Sequence, residues 1–243
     1  MSQQGSLYWQ LEDIWVAPTW SSIEYDGRWK LLHYAAKDAY EPVVIAPYHD
    51  ASTGNLSVWV TSDLWEAVHG RATFEWFDWK GERLDVNTTA AANFSLGAIN
   101  STRVLQTFTT EVLGGRHEAR DAVLKMSVAA EGKLPNTNVS RTFRHESWFN
   151  ASPLRDAALV DPGLRLEYSD STANFTVRAT QGVAAWVWLE HGPGVIGNFD
   201  SNGFWLGRGE EREVAFVVKR DDTGGRWVDE VTVQSLWKQT LAE

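Results

Sequence analysis

Two pairs of closely spaced carboxylates stand near the start of the chain, Glu12 with Asp13 and Glu24 with Asp26. Two carboxyl groups facing one another across a single bond can serve as proton donor and nucleophile. Neither pair is placed for that work. Adjacent residues of a strand project to opposite faces, so Glu12 and Asp13 cannot flank one bond from the same side. Glu24 and Asp26 share a face if extended, but they sit just before a helical stretch and next to Gly27. Asp26 therefore reads as a helix cap, its oxygen taking unpaired amides of the first turn. The six histidines, at 33, 49, 69, 117, 145 and 191, show no metal-ligand spacing, and no Ser/His/Asp order stands out. Cysteine is absent, which excludes disulfides, thiolate catalysis and Cys-ligated metals. No nucleophile, no metal set and no cofactor is assigned.

Asparagine carries a different chemistry. Seven of the ten Asn stand in Asn-x-Ser/Thr triplets: Asn55, Asn87, Asn93, Asn100, Asn138, Asn150 and Asn174. Ser and Thr frequencies would place only about one or two there by chance, so the pattern reads as a glycosylated surface on a secreted protein. Asn150 is the weakest, because Pro153 follows its Ser152. The beginning MSQQGSLYW lacks a basic region leading into an apolar one, so no secretion signal is visible; a segment missing upstream would account for that. No run approaches the roughly 20 apolar residues of a membrane span. A net charge of -10 argues against a nucleic-acid partner.

The elements that must hold these residues come in two periods. Residues 28–40 place apolar side chains at 31, 32, 35, 36, 39 and 40, the stripe of a helix packed on one face, ended by Pro42. Beyond it the period is two. Leu56, Val58 and Val60 share a face, as do Leu124, Met126 and Val128, and Phe175, Val177 and Ala179. Further strands are expected at 43–49, 72–79, 102–110, 138–145, 164–170, 183–190, 211–220 and 228–237. Short strands at intervals of about ten residues describe antiparallel sandwiches. One is expected over 42–148 and a second over 161–243, joined by a linker at 149–160. Of the 14 tryptophans, Trp76, Trp79, Trp186, Trp188 and Trp237 read as rings filling sandwich cores. Trp59, Trp65 or Trp205 could form a carbohydrate surface, but nothing in the spacing selects that.

Tyr8-Trp9-Gln10-Leu11-Glu12-Asp13-Ile14-Trp15, followed by Trp20 to Tyr25 and Gly27 to Tyr34, strongly resembles the β-mannosidases of glycoside hydrolase family 2, and most closely the secreted fungal type. Asp161-Pro162-Gly163-Leu164, Gly224-Gly225-Arg226-Trp227 and Val231 to Ser235 resemble the family's final Ig-like domain. The family's usual Asn in the first motif is Glu12 here. The resemblance implies a mainly β chain: residues 1–41 as the terminal βα unit of a (β/α)8 TIM barrel, then two Ig-like antiparallel β-sandwiches. It implies retaining hydrolysis of terminal β-mannose from manno-oligosaccharides and glycoprotein glycans. Such hydrolysis needs two carboxyl groups about 5–5.5 Å apart. In this family they come from barrel strands four and seven, which precede this piece, so the chain alone is expected to be inactive. Substrate positioning remains: Trp9 resembles the floor of the mannose subsite, with Asp13, Trp15 and Trp20 beside it. A cis peptide is expected at Trp9–Gln10. The implied partners are β-mannoside glycans, reached through the rest of the barrel; a homodimer of the full-length parent stays open. The competing readings are a non-catalytic carbohydrate-binding protein and a purely structural pair of sandwiches.

Overall fold

The computed structural model describes residues 7–134, 136–137 and 139–241. They form two compact units: residues Ala39–Val160, and the residues up to Asp38 together with those from Asp161 onward. The N-terminal segment therefore belongs with the last third of the chain.

The unit of residues 39–160 is a sandwich. One sheet has the order β1-β2-β5 (Val43–Asp50, Asn55–Ser62, Asn100–Phe108). The other runs β4-β3-β6-β7 (Ala91–Leu96, Val68–Asp78, Ala122–Lys133, Ser140–Asn150). All pairings are antiparallel. The alternation seen in the sequence sets the facing. Leu56, Val58, Val60, Leu124 and Met126 are fully buried, and Val128 nearly so, joined in one core by Val43, Ile45, Phe74 and Trp76. Helix α1 (Leu31–Ala39) precedes this unit in the chain, and a short helix, α2 (Thr109–Leu113), follows β5 within it. β7 extends to Asn150 because its ladder with β6 continues to the pair Val123–Asn150, so the first two residues expected as linker are strand. The Ala158 amide then ties the following segment to the Arg120 carbonyl at 2.9 Å.

The second unit contains a four-stranded sheet, β11-β13-β9-β8 (Val195–Phe199, Glu211–Asp221, Asn174–Ala179, Leu164–Ser169), and a three-stranded one, β12-β10-β14 (Phe204–Leu206, Ala184–Glu190, Thr232–Gln234). Phe175, Phe199, Phe216 and Trp227 meet ring to ring between 4.6 and 6.0 Å in its core. Residues 228–237, expected as one strand, instead pass from a 3-10 turn (Arg226–Glu230) through β14 into a short helix, α3 (Leu236–Gln239). β4, β11 and β12 were not expected. β11 escapes notice because it contains Gly197 and Asn198, turn-like residues in composition. Gly197 is there because a Cβ would lie 2.5 Å from the Val217 carbonyl.

Residues 7–30 form no strand, which corrects the expectation of a barrel strand. Only isolated bridges join Glu12 to Ile23 and Ile23 to Trp29. The reason is one of hydrogen bonding: a parallel strand needs neighbours on both sides for its amides and carbonyls. With no such neighbours, the chain folds back on itself, with Ile23 N–H on the Leu11 carbonyl at 2.9 Å and Lys30 N–H on the Ser22 carbonyl at 2.9 Å. The helix forms as α1, but with a different face inward. Tyr34 is its buried residue, while Leu31, Leu32 and Tyr40 stay 43%, 41% and 51% exposed.

Candidate functional site

The segment before α1 is organised around Asp13. Its main chain is paired, Asp13 N–H donating to the Ile23 carbonyl at 3.0 Å. Its carboxylate is buried: Oδ2 accepts from Lys30 Nζ at 2.8 Å, and Oδ1 accepts from the Thr19 hydroxyl. Lys30 Nζ also donates to Ser21 Oγ at 2.9 Å. The Lys30 hydrogen bond, reinforced by Thr19, holds the Asp13 carboxyl below the usual carboxylate range. Both oxygens of Asp13 are thus engaged, and the residue clamps the ends of the 13–30 loop.

The three tryptophans expected at a substrate subsite lie on the surface of this segment. Trp9, Trp15 and Trp20 are 77%, 61% and 71% exposed, and among the described residues no ring contact joins them. The structure brings Asp13, Thr19, Ser21 and Lys30 together and leaves these indoles in the open. The Trp9–Gln10 peptide is cis. Asp26 does not cap α1: its Oδ1 accepts from Arg28 N–H at 3.0 Å, closing a turn at Gly27, several residues before the helix begins.

Sequence reasoning missed what anchors this segment to the second unit. Trp29 N–H donates to Asn198 Oδ1 at 3.1 Å, and the Tyr34 hydroxyl donates to the Phe199 carbonyl at 3.0 Å. Lys37 Nζ reaches the Asp200 carbonyl at 2.8 Å, and Arg28 pairs with Glu190 at 2.7 Å. Tyr34 also sets its ring edge-on against Trp188, with centroids 5.7 Å apart. Burial pushes the Tyr34 phenol up, so it remains a donor. His33, its ring tilted against Trp29 with centroids 4.3 Å apart, is pushed down by burial and by the charge of Lys37. Trp186, Trp188 and Trp237, expected in the core, are only half-buried, whereas Trp76 and Trp79 are core residues.

Of the sequons, Asn87, Asn93 and Asn100 are exposed; Asn55, Asn150 and Asn174 are half-buried. Asn55 Oδ1 is shielded without a donor, and Asn150 Nδ2 donates to the Ser152 carbonyl. Asn138 lies outside the described residues.

Residues 54–145 match the mannosidase Ig/CBM-like domain, and residues 159–239 match the Ig-fold domain of mannosidases. Across 98% of its length the chain is 45% identical to β-mannosidase A of Aspergillus oryzae and 47% identical to that of Aspergillus terreus. It is a homologue of the C-terminal part of β-mannosidases. The chain spans about a quarter of those relatives, 26% of each. The fold is shared with a β-D-mannosidase of Dictyoglomus thermophilum, at a TM-score of 0.66 and 14% identity over 93% of this chain and 25% of that one. An exo-chitosanase of Amycolatopsis orientalis aligns with a TM-score of 0.54 and 17% identity, over 94% of this chain and 29% of its own. Within this β-mannosidase homologue, the Asp13 clamp and the Tyr34 anchor are the features that hold the tryptophan-bearing segment in place.

Proposed function

We propose that this chain is the C-terminal part of a secreted, glycosylated β-mannosidase of glycoside hydrolase family 2, a retaining enzyme that removes terminal β-mannose from manno-oligosaccharides and glycoprotein glycans. One observation carries the reading beyond sequence likeness. Of the 21 exposed large apolar side chains among the described residues, 11 fall between Leu7 and Tyr40. Soluble surfaces rarely gather apolar groups in this way unless a partner covers them. The remaining seven units of a (β/α)8 barrel would cover this segment and supply the ladder partners that residues 7–15 lack.

On this reading the acid and the nucleophile belong to the covering barrel, and Trp9, Trp15 and Trp20 form part of the wall that positions the sugar. Asp13 acts through its clamp on the loop. The two sandwiches serve as scaffold. A purified chain of these 243 residues is expected to release no product from an aryl β-mannoside. Supplying the missing barrel as a second polypeptide is expected to restore turnover, and replacing Trp9 by Ala in that complex to raise KM for the mannoside. Turnover by the chain alone would overturn the proposal.

A further inference from the structure

Beside α1, within the second unit, lies an open cleft of about 340 Å³, inside the range of small-molecule sites. Two stretches far apart in sequence build it. Glu24 and Arg28 come from the segment leading into α1, and Leu31 is its first residue; Trp186, Trp188 and Glu190 come from β10.

β10 presents its indoles outward by strand alternation: Val187 and Leu189 are buried in the core, and Trp186 and Trp188 are half-buried on the other face. Trp186 has φ 53°, a left-handed conformation that a bulky residue adopts only under constraint, and such constraint gathers at ligand sites. The register of β10 against β12 shifts between Ala184 and Val187, at this residue. The Trp186 ring is braced edge-on by Trp205, 6.1 Å away.

The polar groups are arranged with equal definition. Glu190 accepts from Arg28 Nη1 at 2.7 Å and from the Trp188 indole N–H at 3.0 Å, which fixes its carboxylate. Glu24 is exposed and has no charged partner among the described residues. Arg28 is paired with Glu190 and Lys30 with Asp13, which leaves Glu24 as the one uncompensated charge of the lining. A lining whose cations are already paired does not recruit an anion, and a single exposed carboxylate is a weak cation site. Indole faces suit the C–H face of a pyranose, and fixed carboxylate acceptors with a guanidinium donor suit its hydroxyls.

We propose that this cleft binds a short uncharged oligosaccharide, a sugar ring resting against Trp186 and hydroxyls on Glu24 and Glu190. The binding is a property of this chain by itself. Its place at the barrel mouth, where loops following strands meet substrate, rests on the reading under Proposed function.

The test is calorimetric titration of the 243-residue chain with mannotriose and mannohexaose, and with cellohexaose in parallel. Saturable binding with a Kd on the order of a millimolar is expected, weakened about tenfold or more by Trp186→Ala and by Glu24→Gln. Trp65→Ala, which removes an exposed indole of the other unit, leaves it unchanged. Glu24 is an exposed side chain, so E24Q carries the test if W186A unfolds. Binding of cellohexaose alone, with the same variant pattern, supports the cleft and counts against the mannoside reading. No saturation by any of the sugars, or binding indifferent to both variants, overturns the cleft, while the hydrolase reading keeps its own turnover test.

Discussion

A buried carboxylate that accepts from an ammonium and a hydroxyl makes local order depend on pH, and Asp13 is in that position. Its folded-state pKa lies below the unfolded value near 3.9. The sign follows from linkage: the clamp's contribution is complete above the unfolded value and is lost as pH falls through the folded one. Amide exchange across residues 11–24 is expected to accelerate in that acid window, while Asp13→Asn accelerates it at neutral pH and flattens the acid dependence. Asparagine side chains allow a second test at this scale. Expression in a secreting eukaryotic host is expected to give glycans at Asn87, Asn93 and Asn100, which are exposed. Asn150 should stay bare, because its amide nitrogen is engaged by the Ser152 carbonyl. Peptide mapping by mass spectrometry would decide it.

Among the elements, α1 shows how a helix can be placed by a polar face. The sequence suggests a stripe at 31, 32, 35, 36, 39 and 40, and that stripe is the one left largely in solvent. What docks α1 is Tyr34 with its hydroxyl on Phe199, and Lys37 on Asp200. Tyr34→Phe leaves a buried carbonyl without its donor, so it should destabilise the second unit by about 1–3 kcal/mol in urea unfolding. Tyr34→Ala should cost more, about 3–5 kcal/mol, as large ring deletions do. Removal of residues 1–41 would then have two opposed effects. Aggregation falls with the loss of the exposed apolar set, while the unfolding midpoint of the remaining C-terminal sandwich also falls. The alternation that predicts β2, β6 and β9 is legible because each strand turns its aliphatic residues to one dry face and its more polar ones to the other. β11 and β12 were hidden, since their place is set by partners distant in sequence and not by their own pattern.

For the whole molecule, the sandwich class and most of its strands could be read from period two, and the family from the motif around Trp9. The grouping of the N-terminal segment with the last third could not. It depends on Asn198, Phe199 and Asp200, whose side-chain and carbonyl contacts leave no periodic trace. Nor does composition distinguish the half-buried Trp186 and Trp188 from the core Trp76. Surface chemistry yields a prediction at this scale. Ile14 and Val16 are 73% and 87% exposed, so Ile14→Asn with Val16→Asn should raise solubility and reduce dye binding, with little change in the unfolding midpoint.

The Tyr34 anchor has a consequence for biosynthesis. Its acceptor lies 165 residues downstream, which a ribosome adding about 5–20 residues per second needs roughly 8–33 s to translate. During that interval the sandwich of residues 39–160 has all its own strands and can close, while the tryptophan-rich leading segment waits outside it. Until β11 has been made, the Tyr34 hydroxyl has no Phe199 carbonyl to reach, so protection of α1 is expected to follow synthesis of β11 and not to precede it.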